Sequence, residues 1–171
     1  AEEKKAVKWE PITPVEASSQ NPILTVEDDG VVFASGDFTK SDTYHLKFSN
    51  APAGVRAIRI EALPDHRLPN NGPGTVHYEG PEGDFWFSNL KVKADGKPVA
   101  LKNPSESYAS GNNNAAKAID DDLQSGWSVA GGVGKAQSAV YQFEKLFEGG
   151  GELEMDMTFE RYYAAALGKF R

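Results

Sequence analysis

The chain has 171 residues, 39% of them hydrophobic, a formal net charge of −7 and no cysteine. That length supports one domain with a sizeable core, while the acidic balance argues against a nucleic-acid partner and against an anionic membrane surface. Without cysteine, this segment has no disulfide, thiolate metal site, cysteine nucleophile or attached c-type haem.

The seventeen glycines and ten prolines predict many turns between short elements, as in an all-β fold. No apolar run approaches the roughly 18 residues that cross a bilayer, so direct membrane insertion is not expected. The N-terminal "AEEKKAVKWE" is charged and has no apolar signal core. Residues 1–8 are expected to be flexible. The Pro-punctuated stretch up to about residue 30 reads as extended coil anchored by Trp9 and Ile12. "EDDGVVFASG" places a turn at Asp29-Gly30 and a short strand over Val31 to Ser35, because glycine accepts positive φ at no steric cost.

"TYHLKFS" alternates, with Tyr44, Leu46 and Phe48 on one face and His45 and Lys47 on the other. "GVRAIRIEAL" does the same, with Ile58, Ile60 and Ala62 opposite Arg59 and Glu61. "DFWFSNLKV", Asp84 to Val92, is a β-prone aromatic run, and Pro98 to Leu101 is a plausible strand in a loop-like region. A single helical turn capped by asparagine is predicted around Asn114 to Ile119. "AVYQF" reads as a strand and "EGGG" as a turn. In "GELEMDMTFE", Leu153, Met155, Met157 and Phe159 alternate with polar residues, as in a half-buried strand. "RYYAAALGKFR" reads as a terminal strand. Seven or more short strands between turns predict an antiparallel β-sandwich in a single domain.

Two stretches carry candidate chemistry. "LPDHRLPNNGPGTVHYEGPEGDFWF" gathers prolines, asparagines and two histidines ahead of the aromatic run. Prolines fix φ and Asn-Gly permits a tight turn, so this loop is suited to be a preorganised recognition surface. Sugars are held by an aromatic face and by planar polar side chains. His66, Arg67, Asn70, Asn71, His77, Tyr78 and Trp86 offer both. The alternative is a hairpin closure with Trp86 in the core.

The second stretch is "AIDDDLQSGW", Ala118 to Trp127. Three consecutive carboxylates make either an Asx-type turn or an oxygen cage for a hard cation. "GGVGKA" lacks the first glycine and the Ser/Thr of a phosphate loop and reads as a surface turn. His45, His66 and His77 lack the spacing of a helical zinc site, and no catalytic constellation stands out.

"SYASGNNNAAKAIDDDLQSGWSV" resembles the signature of galactose-binding-like, discoidin-type β-sandwiches. Ala118, Ile119, Asp120, Asp122, Ser125 and Trp127 match in order, whereas Asp121 stands where the family usually has glycine. Five further blocks resemble, in the same order, a domain of large planctomycete proteins that often carry a cytochrome c-like domain. They are "DDGVVFASGDFTKSDTYHLKF", "AIRIEALPDHRLPNNGPG", "GDFWFSNLKV", "GWSVAGGVGKAQSAVYQF" and "LGKFR".

The resemblance implies a jelly-roll, galactose-binding-like fold and a non-catalytic module of a larger exported protein, periplasmic or at the cell surface. It further implies binding of a polysaccharide or glycan, with neighbouring domains of a parent polypeptide as partners. A structural or protein-docking role in a redox assembly is the alternative. It implies a structural Ca²⁺ on the Asp120 carboxylate, the Asp122 carbonyl and the Ser125 oxygens, with the Lys117 carbonyl near and Glu160 as a late ligand. The family pattern continues a strand beyond "GKFR", so a fragment is expected.

Overall fold

The computed structural model describes residues 8–38, 41–78, 80–148, 151–160 and 165–171. In chain order the strands are β1 (Glu16–Ser18), β2 (Ile23–Val26), β3 (Val32–Ser35), β4 (Asp42–Ala51), β5 (Val55–Ala62) and β6 (Asn89–Ala94). They continue with β7 (Lys97–Val99), β8 (Leu101–Glu106), β9 (Gln137–Phe147), β10 (Gly151–Phe159) and β11 (Lys169–Phe170). One sheet runs β1-β4-β10-β6-β7 and the other β2-β3-β11-β5-β9-β8, with every pairing antiparallel. The protein is an antiparallel β-sandwich.

The alternation in the sequence builds the layers, because successive side chains of a strand point to opposite faces. In β4, Tyr44, Leu46 and Phe48 turn inward and lie directly opposite Met157, Met155 and Leu153 of β10. From the other sheet, Ile58 and Ile60 of β5 pair with Tyr141 and Ala139 of β9. Each large apolar side chain so buried contributes about 1.5–3 kcal/mol. Two buried tyrosines also fasten loops to the core. Tyr44 donates its hydroxyl proton to the Leu167 carbonyl at 2.9 Å, and Tyr141 donates to that of Ala115 at 2.9 Å.

The structure corrects several local expectations. The N-terminal coil contains two edge strands, β1 and β2. The aromatic run becomes strand only at Asn89, because its earlier N–H groups serve three different segments. Trp86 donates to Ala165, Phe87 to Trp127 and Ser88 to Thr158. The Pro98 to Leu101 strand divides at Ala100 into β7 and β8. Asn114 stands at the N-cap of the 3-10 turn Ala115–Ala118, but its side chain makes no capping bond. Two further 3-10 turns, Asp28–Gly30 and Pro69–Asn71, bring the total among the described residues to three where one was expected. The first holds the Asp29-Gly30 turn, with φ of 60° and 76°. The terminal strand is only the two-residue β11. Residues 1–7, Gly149, Gly150 and 161–164, on which parts of the sequence reading fell, lie outside the described residues. No helix among the described residues is long and apolar enough to cross a membrane.

Candidate functional site: a platform of three loops

The proline-rich loop after β5 is clamped at both ends. The Asp65 carboxylate accepts from the Arg67 backbone N–H (2.8 Å), Arg67 Nε (2.9 Å), Arg67 Nη2 (2.8 Å) and Lys169 Nζ (3.1 Å). These donors, the Arg67 guanidinium foremost, hold the carboxyl well below the usual carboxylate range. The same guanidinium covers the Phe33 ring at 3.7 Å and reaches Glu27 at 3.4 Å. Arg67 thus straps the loop onto β3.

Beyond this strap, the loop turns through Asn70 and Asn71, both at positive φ, and a cis Gly72–Pro73 bond. Gly74 follows under severe crowding, since a Cβ there would lie 1.9 Å from the Asp84 carbonyl oxygen. Val76 and Gly83 pair to close a second loop, which abuts the first. Asn70 Nδ2 lies 3.5 Å from the Glu82 carbonyl, and a Cβ at Gly83 would meet the Pro69 carbonyl at 2.6 Å.

The glycine stretch "GGVGKA" supplies a third loop. Gly134 N–H donates to the Gly72 carbonyl at 2.6 Å, and Gly132 passes beneath the Tyr108 ring. Buried Asp84 ties the second and third loops together by accepting from Ser128 Oγ at 2.5 Å and the Val129 N–H at 2.8 Å. Burial pushes its carboxyl pKa up. No local pattern marked Asp84 for this role. Its only signal was a carboxylate directly ahead of an apolar run.

The seven sugar-contact candidates therefore separate. Asn70, Asn71, His77 and Tyr78 share the exposed platform. Tyr78 is 74% exposed, and its ring lies 4.2 Å from that of His77, whose Nδ1 is 3.0 Å from the Thr75 carbonyl. His66 is exposed on the outer bend of the first loop, beside Asp65. Trp86 is only 3% exposed and packs with Val76 and Ala165, so it is core. Its backbone N–H donates to the Ala165 carbonyl at 2.9 Å, which fixes the ring among these buried neighbours.

The aspartate stretch closes on itself. Asp120 Oδ1 accepts from the Asp122 N–H at 3.0 Å, and Asp122 Oδ1 accepts from the Gln124 N–H at 2.9 Å, giving two successive Asx turns. Ser125 Oγ lies 2.5 Å from Asp120 Oδ2, 3.0 Å from the Asp122 carbonyl and 3.3 Å from the Lys117 carbonyl. Four of the five expected cation ligands are thus together. Glu160 is elsewhere: it ends β10, and its N–H donates to Ser88 Oγ at 2.9 Å. The donors present are all oxygens, as a hard cation prefers, but both Asp120 oxygens are already engaged by protein donors. Among the described residues no three histidine, aspartate or glutamate side chains converge as metal ligands. His45 pairs with Asp156 at 2.6 Å on the outer face of its sheet, opposite it in the β4–β10 register.

No family model, curated protein or solved structure matches the chain.

Proposed function

We propose that this chain is a non-catalytic binding module that holds carbohydrate on the three-loop platform. The observation that carries this reading is the exposed His77–Tyr78 ring pair, set on loops that are fixed to one another and flank the Asn70–Asn71 turn. A flat aromatic face takes the C–H side of a pyranose, and the asparagine amides offer paired donors and acceptors for hydroxyls. The fixed loops lower the ordering cost of binding, and a shallow site of this kind suits a chain of polysaccharide rather than one enclosed sugar. In this reading the 117–125 loop is a self-satisfied turn that supports the neighbouring core at Trp127, and a structural Ca²⁺ on its four oxygens is the tested alternative. Residence in an exported multidomain protein belongs to the same proposal.

Affinity electrophoresis through gels cast with different polysaccharides tests the reading. The wild-type chain is retarded by at least one polysaccharide. Tyr78→Ala abolishes that retardation while leaving the melting temperature unchanged, because the ring is exposed and outside the core. Equal retardation of Tyr78→Ala and wild type, or none on any polysaccharide, would remove the glycan reading.

A further inference from the structure

The third loop touches the first loop at one end and Tyr108 at the other. At the first end Gly134 donates its N–H to the Gly72 carbonyl, and a Cβ on Gly134 would stand 3.9 Å from that of Asn71. At the second end a Cβ on Gly131 would meet Tyr108 Oη at 2.6 Å, and one on Gly132 would meet Tyr108 Cδ1 at 2.8 Å. The glycines of this loop therefore seat a ring, which is a use for "GGVGKA" that a bare surface turn does not have.

Tyr108 is held at three points. Its ring lies on the glycine backbone, its hydroxyl donates to the Ala130 carbonyl at 2.8 Å, and its own carbonyl accepts from Trp127 Nε1 at 2.9 Å. The turn that carries it follows β8, with the Ser107 N–H bonded to the Ser138 carbonyl (2.9 Å) and Ser110 bridged to Asn113. Ser128 ties this turn to the platform. Its carbonyl accepts from the Ser110 N–H, its N–H donates to the Asn113 carbonyl, and its Oγ donates to Asp84. The Tyr108 ring nevertheless remains 36% exposed, and Asn112 is exposed on the same turn. The pairing of an exposed ring with an exposed amide, seen at Tyr78 and Asn70–Asn71, thus recurs across the third loop. A ligand meeting Tyr108 does not have to immobilise it first.

The geometry points to a second aromatic subsite at Tyr108, and hence to an extended β-1,4-linked pyranose chain lying from Tyr78 past the Asn70–Asn71 turn to Tyr108. This inference rests on the glycan reading of the platform and adds the length and linkage of the ligand. Gly131, Gly132 and Gly134 keep the ground between the two subsites low, broken only by half-buried Val133. Gly132 and Gly134 are two residues apart and so span at most about 7 Å, which sets Tyr108 a few sugar units from Asn71. Equatorial bonds at C1 and C4 keep such a chain straight and leave its C–H faces open to a ring. An axial linkage curls the chain and lifts successive faces away from a second ring. One chain touching both rings joins two weak contacts into a stronger one.

The test runs the full 171-residue chain through gels cast with hydroxyethylcellulose, xylan or soluble starch, and maps amide shifts with cellohexaose and xylohexaose. At least one of the two β-1,4-linked gels retards the wild type, and starch does not. Tyr108→Ala weakens the retardation about tenfold or more, whereas Tyr108→Phe, which keeps the ring over the glycines, retains most of it. In the wild type, the matching hexaose moves the amides of residues 108–112 together with those of 70–72, along one saturation curve.

Undiminished retardation of Tyr108→Ala, with Tyr78→Ala no longer retarded, overturns the second subsite and leaves the platform reading standing. Amides 108–112 unmoved by either hexaose overturn it as well, even where Tyr108→Ala binds poorly, because that loss is then structural. Retardation by starch alone overturns the linkage. No retardation on any polysaccharide removes this inference and the glycan reading together.

Discussion

Asp84 is the residue on which the platform turns. It is 2% exposed, and its two carboxylate oxygens hold Ser128 and Val129 in place. Asp84→Ala strands two buried donors, each costing about 1–3 kcal/mol, so denaturant unfolding should show a loss of about 2–6 kcal/mol. Asp84→Asn keeps an acceptor for Val129 and offers a donor to Ser128, so it should retain most of the stability. The pH dependence separates the two effects. Burial raises the folded pKa of Asp84 above its unfolded value. Its protonation therefore favours the folded state fully below the unfolded pKa, and that contribution is lost as pH rises through the folded pKa.

Asp65 behaves oppositely, because its lowered pKa adds stability above about pH 4 that disappears only as pH falls through the folded value. Melting curves should show wild type gaining on Asp84→Asn as pH falls toward 4. A constant difference between the two across that range would contradict the assigned burial effect. At Asp120, Asp120→Ala removes an acceptor from both the Asp122 N–H and Ser125 Oγ, lowering stability by about 1 kcal/mol. A wild-type Tm that stays fixed on adding Ca²⁺ or chelator supports the self-satisfied turn. A Tm that rises with Ca²⁺ assigns the four oxygens to a cation.

At the scale of elements, the strands were legible where a segment keeps the same neighbours along its length. β4, β5 and β10 follow the alternation of Tyr44–Phe48, Ile58–Ala62 and Leu153–Phe159 because each buries one face and exposes the other. Legibility failed where a segment changes partner at each residue. Asp84 to Ser88 has strand-like composition, but no single neighbour forms a ladder with it. Within the candidate site, the structure exposes Asn70, Asn71, His77 and Tyr78 and gathers the oxygens of residues 117–125, while Arg67 is engaged with Phe33 and Glu27 and Trp86 is buried beside Ala165, contacts between segments distant in sequence that no local pattern announces. The role of Asp84 depends on contacts between distant segments and left no local pattern to read.

Gly74 shows how tightly the loop element is built. A methyl group there collides with the Asp84 carbonyl, which belongs to the rigid backbone and has little room to yield. Gly74→Ala should therefore cost more than about 3 kcal/mol, measured as a shift in the denaturant midpoint, whereas Gly96→Ala faces open space and pays only for its positive φ of 80°. Comparable losses at the two positions would show that the loops are not in the close contact described.

At the scale of the whole molecule, the sandwich core fixes both sheets through apolar contacts, and the loop end presents exposed aromatic and amide side chains. In the proposed reading, ligand contacts the loop platform and the sheets are its rigid support. Amide chemical-shift mapping with an oligosaccharide from whichever polysaccharide retards the chain separates the two. Dose-dependent shifts are expected in residues 70–72, 77, 78, 80–83 and 131–134, with β5 and residues 8–14 unmoved. Shifts concentrated along β5 and residues 8–14, with the platform silent, would contradict it.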